Sequence, residues 1–102
     1  MSDHYRRDGT PYDVLEWAEQ FEKGEDRRVA RTEVPLGDGE KAEVSTVFLG
    51  LDHSFGEGPP LIFETMVFGG ELDQECERYT TEAQALEGHE RMIARVQRTA
   101  KD

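Results

Sequence analysis

Two apolar runs rich in β-branched residues, "AEVSTVFLGL" (42–51) and "LIFETMVF" (61–68), flank a loop dense in glycine and proline. Nothing else in the chain restricts the fold as much. Runs of this length between turn residues read as strands, and so short a connection makes them neighbours in one sheet. The first begins by alternating and ends continuously apolar, which predicts a strand half-buried at one end and sandwiched at the other. The second is the most apolar and is expected at the sheet centre.

Around this pair the rest falls into place. "RRVARTEV" predicts an exposed edge strand over 28–34, joined through the turn "PLGDGEK" to the first run. "CERY" (76–79) can add a brief fourth strand. Short connections favour an antiparallel meander. Thr10 and Pro11 can open a helix over about 11–23, with Val14, Trp17, Ala18 and Phe21 on one face and Gly24 as the stop. A second helix begins at Thr81, where Gln84 completes a capping box. Its spacing predicts an apolar stripe of Leu86, His89, Ile93, Val96 and Ala100. Glutamates crowd its first half and arginines its second, with Glu87–Arg91 as an i,i+4 pair. That order suits the helix dipole without invoking a basic binding patch.

The sum is an α+β domain over 11–100, preceded by a mobile N-terminus over 1–10. It comprises a three- to four-stranded antiparallel meander with an N-terminal and a C-terminal helix packed on it. A chain of 102 residues supports one modest core. Its net charge of −11 argues against direct nucleic-acid binding, which needs clustered Lys and Arg, and disfavours anionic membranes. No apolar run reaches the roughly 18 residues of a membrane span, and no signal core opens the chain, so a cytoplasmic location is expected. One cysteine, Cys76, excludes an internal disulfide and a multi-thiolate metal site within one chain. Its neighbours Glu75 and Glu77 disfavour the thiolate. No cofactor is implied, and "FGEGPP" lacks the lysine and the helix of a phosphate loop.

Three places can carry function. The loop bears Asp52, His53, Phe55 and Glu57, where a carboxylate beside an imidazole suits acid–base or ligand work. A plainer role for Asp52 is to satisfy the backbone of its own loop. Glu64 interrupts the most apolar strand and must be paired, protonated or solvent-facing; Arg31 and Arg78 are candidate partners. His89 lies on the apolar stripe of the last helix beside Gly88, a costly residue there unless helix and sheet approach closely. Asp52, His53, Glu64 and His89 together have the donor types for zinc or manganese, but no compact motif. The third place is "GGELDQECE". If extended, its Glu71, Asp73, Glu75 and Glu77 form a carboxylate row at about 6.5–7 Å, near the phosphate repeat of one DNA strand. The plainer alternative is a charged edge that discourages sheet pairing.

The stretches "STVFLGLDH", "PLIFETMVFGG" and "EAQALEGH", within residues 44–96, resemble a group of short uncharacterised proteins encoded by bacteriophages and their actinobacterial and other bacterial hosts. The resemblance implies a phage or prophage setting and no particular activity. In that setting the expectation is a non-enzymatic accessory module that binds a host or phage protein. Asp52, His53, Phe55, Glu57, Glu71, Asp73 and Glu75 are its expected contacts. The alternatives are a small-molecule or metal-binding domain, a hydrolase among them, at Asp52, His53, Glu64 and His89, and a minor virion component working as a homodimer or larger homo-oligomer.

Overall fold

The computed structural model describes residues 4–11, 13, 15, 18, 27–52 and 58–100. Four strands, β1 (Arg28–Gly37), β2 (Glu40–Phe48), β3 (Phe63–Phe68) and β4 (Cys76–Tyr79), form one antiparallel sheet in the order β1-β2-β3-β4. Helix α1 (Glu82–Arg98) packs across one face of all four. The architecture is therefore an α+β meander, with β2 and β3 in the interior and β1 at an edge. The expected N-terminal helix over 11–23 falls mostly outside the described residues. Of its positions, Pro11, Asp13, Leu15 and Ala18 are described, and all four are exposed.

Local chemistry explains the hairpin. Asp38 and Gly39 both have positive φ, 55° and 78°, and link the paired residues Gly37 and Glu40. An Asp-Gly pair suits this turn because its twist matches that of the flanking strands. Strand β1 carries register shifts near Arg28 and Pro35. A proline and irregular pairing on an edge strand blunt it against further strand addition. Residues 4–10, expected as a mobile end, lie against the domain. The Tyr5 amide donates to the Gly50 carbonyl at 2.8 Å, and Arg7 pairs with Glu82 at 2.8 Å.

Helix α1 starts as its sequence requires. The Gln84 amide donates to Thr81 Oγ1 at 3.1 Å, and the Thr81 amide donates to Gln84 Oε1 at 3.2 Å. Thr81→Ala removes half of that exchange and is expected to cost about 1 kcal/mol, measurable by urea unfolding. The buried stripe is rotated from expectation: it runs through Ala85, Gly88, His89, Met92 and Val96. Leu86 is 45% exposed, because a step of one residue turns it about 100° from Ala85. No Glu87–Arg91 ion pair forms among the described residues.

The core has two apolar parts. Val34, Leu36, Ala42, Val44, Val67, Met92 and Val96 form one. Phe48, Ile62, Phe63, Tyr79 and Ala85 form the other, with Tyr5 and Val29 against it. Between them runs a polar seam. Thr46 stands between Val44 and Phe48 on β2, Thr65 between Phe63 and Val67 on β3, and His89 between Ala85 and Met92 on α1. No helix among the described residues is long and apolar enough to cross a membrane.

Candidate functional site

The seam is built by strand parity. Thr46 shares the inward phase of Ala42, Val44 and Phe48, and Thr65 that of Phe63 and Val67, so both hydroxyls are carried into the core. The two threonines face each other in the β2–β3 register, and their hydroxyls are hydrogen-bonded. Thr32, in phase with Val34 and Leu36, brings a third hydroxyl from β1. His89 is 2% exposed, with Nδ1 2.7 Å from Thr46 Oγ1 and Nε2 3.0 Å from Thr32 Oγ1. Burial pushes its pKa down from the ordinary histidine value, the nearby Glu90 opposing only in part. On the far side, the Tyr79 hydroxyl donates to Glu77 Oε2 at 2.7 Å. Burial, reinforced by the bond to Glu77, pushes the Tyr79 phenol up to about 12.

Gly88 makes the seam's outer end possible. A Cβ there would lie 2.1 Å from the Tyr79 hydroxyl oxygen, so the helix passes directly over the tyrosine. The close approach of helix and sheet inferred from glycine in a helix interior is present.

Glu64 lies on the other face of the sheet. Phe63, Thr65 and Val67 point inward, so Glu64, Met66 and Phe68 point outward. Its carboxylate accepts from Arg78 Nε at 3.0 Å, one of the two expected partners. Arg31, the other, pairs with Glu43 on the same outer face. Asp52 serves its own loop, accepting from the Leu61 amide at 2.9 Å and so tying residue 52 to residue 61. His53, Phe55 and Glu57 lie outside the described residues. The four-residue ligand set is therefore divided. Glu64 and His89 are separated by the sheet, and the described residues contain no group of three or more metal-ligating side chains.

The acidic row is not extended. Residues 71–74 form a turn, with Gln74 at φ 71° and the Glu75 amide donating to the Leu72 carbonyl at 2.9 Å. Asp73 closes that turn by accepting from the Gly69 amide at 2.7 Å. Glu75 and Glu77 share Arg95, at 3.1 and 3.9 Å. This corrects the even carboxylate spacing read from alternation: a turn breaks the phase, and two of the four carboxylates share one arginine of α1. Glu71, exposed beside a hollow lined by Leu36, Glu40, Gly70 and Thr99, makes no ion pair among the described residues, and neither does Asp73.

Thr32, Thr46, Thr65 and Tyr79 were not singled out from sequence. The available signal was their phase: each threonine sits in the inward register of its strand, opposite the one histidine on a helix stripe. No family model, curated protein or solved structure matches the chain.

Proposed function

We propose that this chain is a non-enzymatic protein-binding module, a phage-type accessory factor that engages and modulates a host protein in the host cytoplasm. The observation that carries this reading is the outer face of the sheet. Among the described residues no element packs on it, and it presents Val47, Met66 and Phe68 beside the Arg31–Glu43 and Arg78–Glu64 pairs, with Phe68 47% exposed. Apolar side chains within a charged rim suit a protein contact. Among the described residues, the candidate groups for chemistry are meanwhile engaged internally: His89 by two threonines, Glu64 by Arg78, Asp52 by a loop amide. Glu71, Asp73 and Glu75, on the segment that follows β3, and the 52–60 loop are the other contacts of this reading.

Affinity capture from host lysate tests this directly, with the intact chain, Phe68→Asp, and a triple charge reversal at Glu71, Asp73 and Glu75. The expected result is one specific partner, captured by the intact chain and lost with Phe68→Asp while the variant keeps its circular dichroism spectrum. Undiminished capture by Phe68→Asp removes the outer face from the proposal. The same exposed face favours one other reading, a homodimer with sheets stacked through Phe68; light scattering that finds a monomer alone rejects it.

A further inference from the structure

The two edges of the sheet are unlike. Strand β1 is blunted by Pro35 and by its register shifts, whereas β4 carries no proline and pairs with β3 without a shift. The Val67 amide donates to the Glu75 carbonyl at 3.0 Å, which makes these two residues a bonded pair. Bonded and unbonded pairs alternate along an antiparallel ladder. Glu77, opposite Thr65, is therefore bonded to β3. Cys76, opposite Met66, and Arg78, opposite Glu64, turn their amides and carbonyls to the open edge. Both residues are exposed, and no strand among the described residues lies beyond β4. Beside this edge stands the side of α1 that carries all three of its arginines. Arg91, Arg95 and Arg98 line a hollow with Ala94 and with Glu77 of β4. The helix dipole favours arginine anywhere around the last turns, so it does not account for their gathering on one side. Arg95 is taken up by Glu75 and Glu77. Arg91 and Arg98 are exposed and make no ion pair among the described residues.

We infer that the groove between the open edge of β4 and the arginine side of α1 docks an acidic, extended peptide segment of a partner protein, which adds to the sheet as a further strand. The outward amides and carbonyls of Cys76 and Arg78 supply the main-chain hydrogen bonds of such strand addition. Alternate side chains of the added strand face the helix, as Glu77 and Tyr79 of β4 do. Carboxylates at those positions meet Arg91 and Arg98, whose planar guanidinium forks can each take a carboxylate through two parallel hydrogen bonds. Glu75 and Glu77 offer little opposition, because both already face Arg95. The chain's net charge of −11 acts weakly at this point, since exposed charges more than a Debye length of about 8 Å apart are largely screened. The groove borders the helix side of the sheet. It is therefore a second contact, independent of the outer face that presents Phe68.

Fluorescence anisotropy of the intact chain with labelled peptides tests this. The probes are a peptide alternating glutamate and threonine, the same peptide with lysine for glutamate, and the glutamate peptide with every amide N-methylated. Expected is saturable binding of the glutamate peptide, weakened by roughly tenfold or more in each of the other two. On binding, the Cys76 and Arg78 amides are expected to become slow in hydrogen exchange. Arg91→Glu combined with Arg98→Glu is expected to reverse the preference towards the lysine peptide. Both side chains are exposed and unpaired, so the variant keeps its helix, which circular dichroism checks. Equal binding of the lysine or the N-methylated peptide overturns the inference, as does an unchanged preference in the double variant. Absence of saturation at about 1 mM glutamate peptide does the same. So does a dimer in light scattering that Cys76→Pro dissociates, because a second copy then holds this edge.

Discussion

Phe63→Ala is expected to destabilise the protein by about 3–5 kcal/mol, the largest effect of any single truncation in this core. Phe63 is fully buried at the head of β3, within one cluster with Phe48, Ile62, Tyr79 and Ala85, and its ring centroid is 5.4 Å from that of Phe48. The site cannot collapse around an alanine. The Tyr79 hydroxyl is tied to Glu77, and Phe48 and Phe63 are fixed by the β2–β3 register, so most of the removed ring is left as cavity. Against a total stability of about 5–15 kcal/mol for such domains, the variant stands at the margin of folding. Urea unfolding with an unchanged m-value is the check; a loss below about 1.5 kcal/mol shows that the neighbours can close the gap.

Gly88→Ala is expected to be destabilising by about 1–3 kcal/mol, contrary to helix propensity, which on its own favours alanine by about 1 kcal/mol. The added methyl would lie 2.1 Å from the Tyr79 oxygen and 2.5 Å from its ring edge. A long, free side chain would swing away at little cost. Tyr79 is 8% exposed and bonded at its hydroxyl, so either the ring breaks that bond or the helix lifts from the sheet. The pairing with Tyr79→Phe discriminates. If the cost of Gly88→Ala falls when the hydroxyl is removed, the clash with that oxygen is its main source; equal cost in both backgrounds assigns it to the ring carbons, and a neutral or stabilising Gly88→Ala refutes the steric account.

Much of the fold was legible because its signals are local. Strands β2 and β3 announced themselves by β-branched apolar runs, the β1–β2 turn by Asp38-Gly39, and α1 by Thr81 and Gln84. The rotation of α1 was not legible. Leu86 and Ala85 are neighbours in sequence, and only the sheet decides that the smaller one faces inward. The acidic segment misled for the opposite reason. Alternation of Glu71, Asp73, Glu75 and Glu77 has meaning only in an extended chain, and Gly69, Gly70 and the positive φ of Gln74 bend it. The pairing of Glu64 could be read as a requirement, since an ion in an apolar strand needs a partner, and Arg78 directly opposite supplies it. His89 could be read as a buried, bonded residue but not with its partners, Thr32 and Thr46, which come from two strands far from it in sequence.

The polar seam also answers how the helix knows where to stop along the sheet. Apolar side chains on both surfaces tolerate sliding, because one methyl group resembles another. Shifting α1 by one turn, about 5.4 Å, would bring Ala85 or Ile93 over the threonines and take the His89 imidazole away from the Thr32 and Thr46 hydroxyls that it bonds. The misaligned packing is thereby excluded by the same few atoms that divide the core in two. His89 acts as an alignment pin, at home in one axial position of the helix and costly in its neighbours.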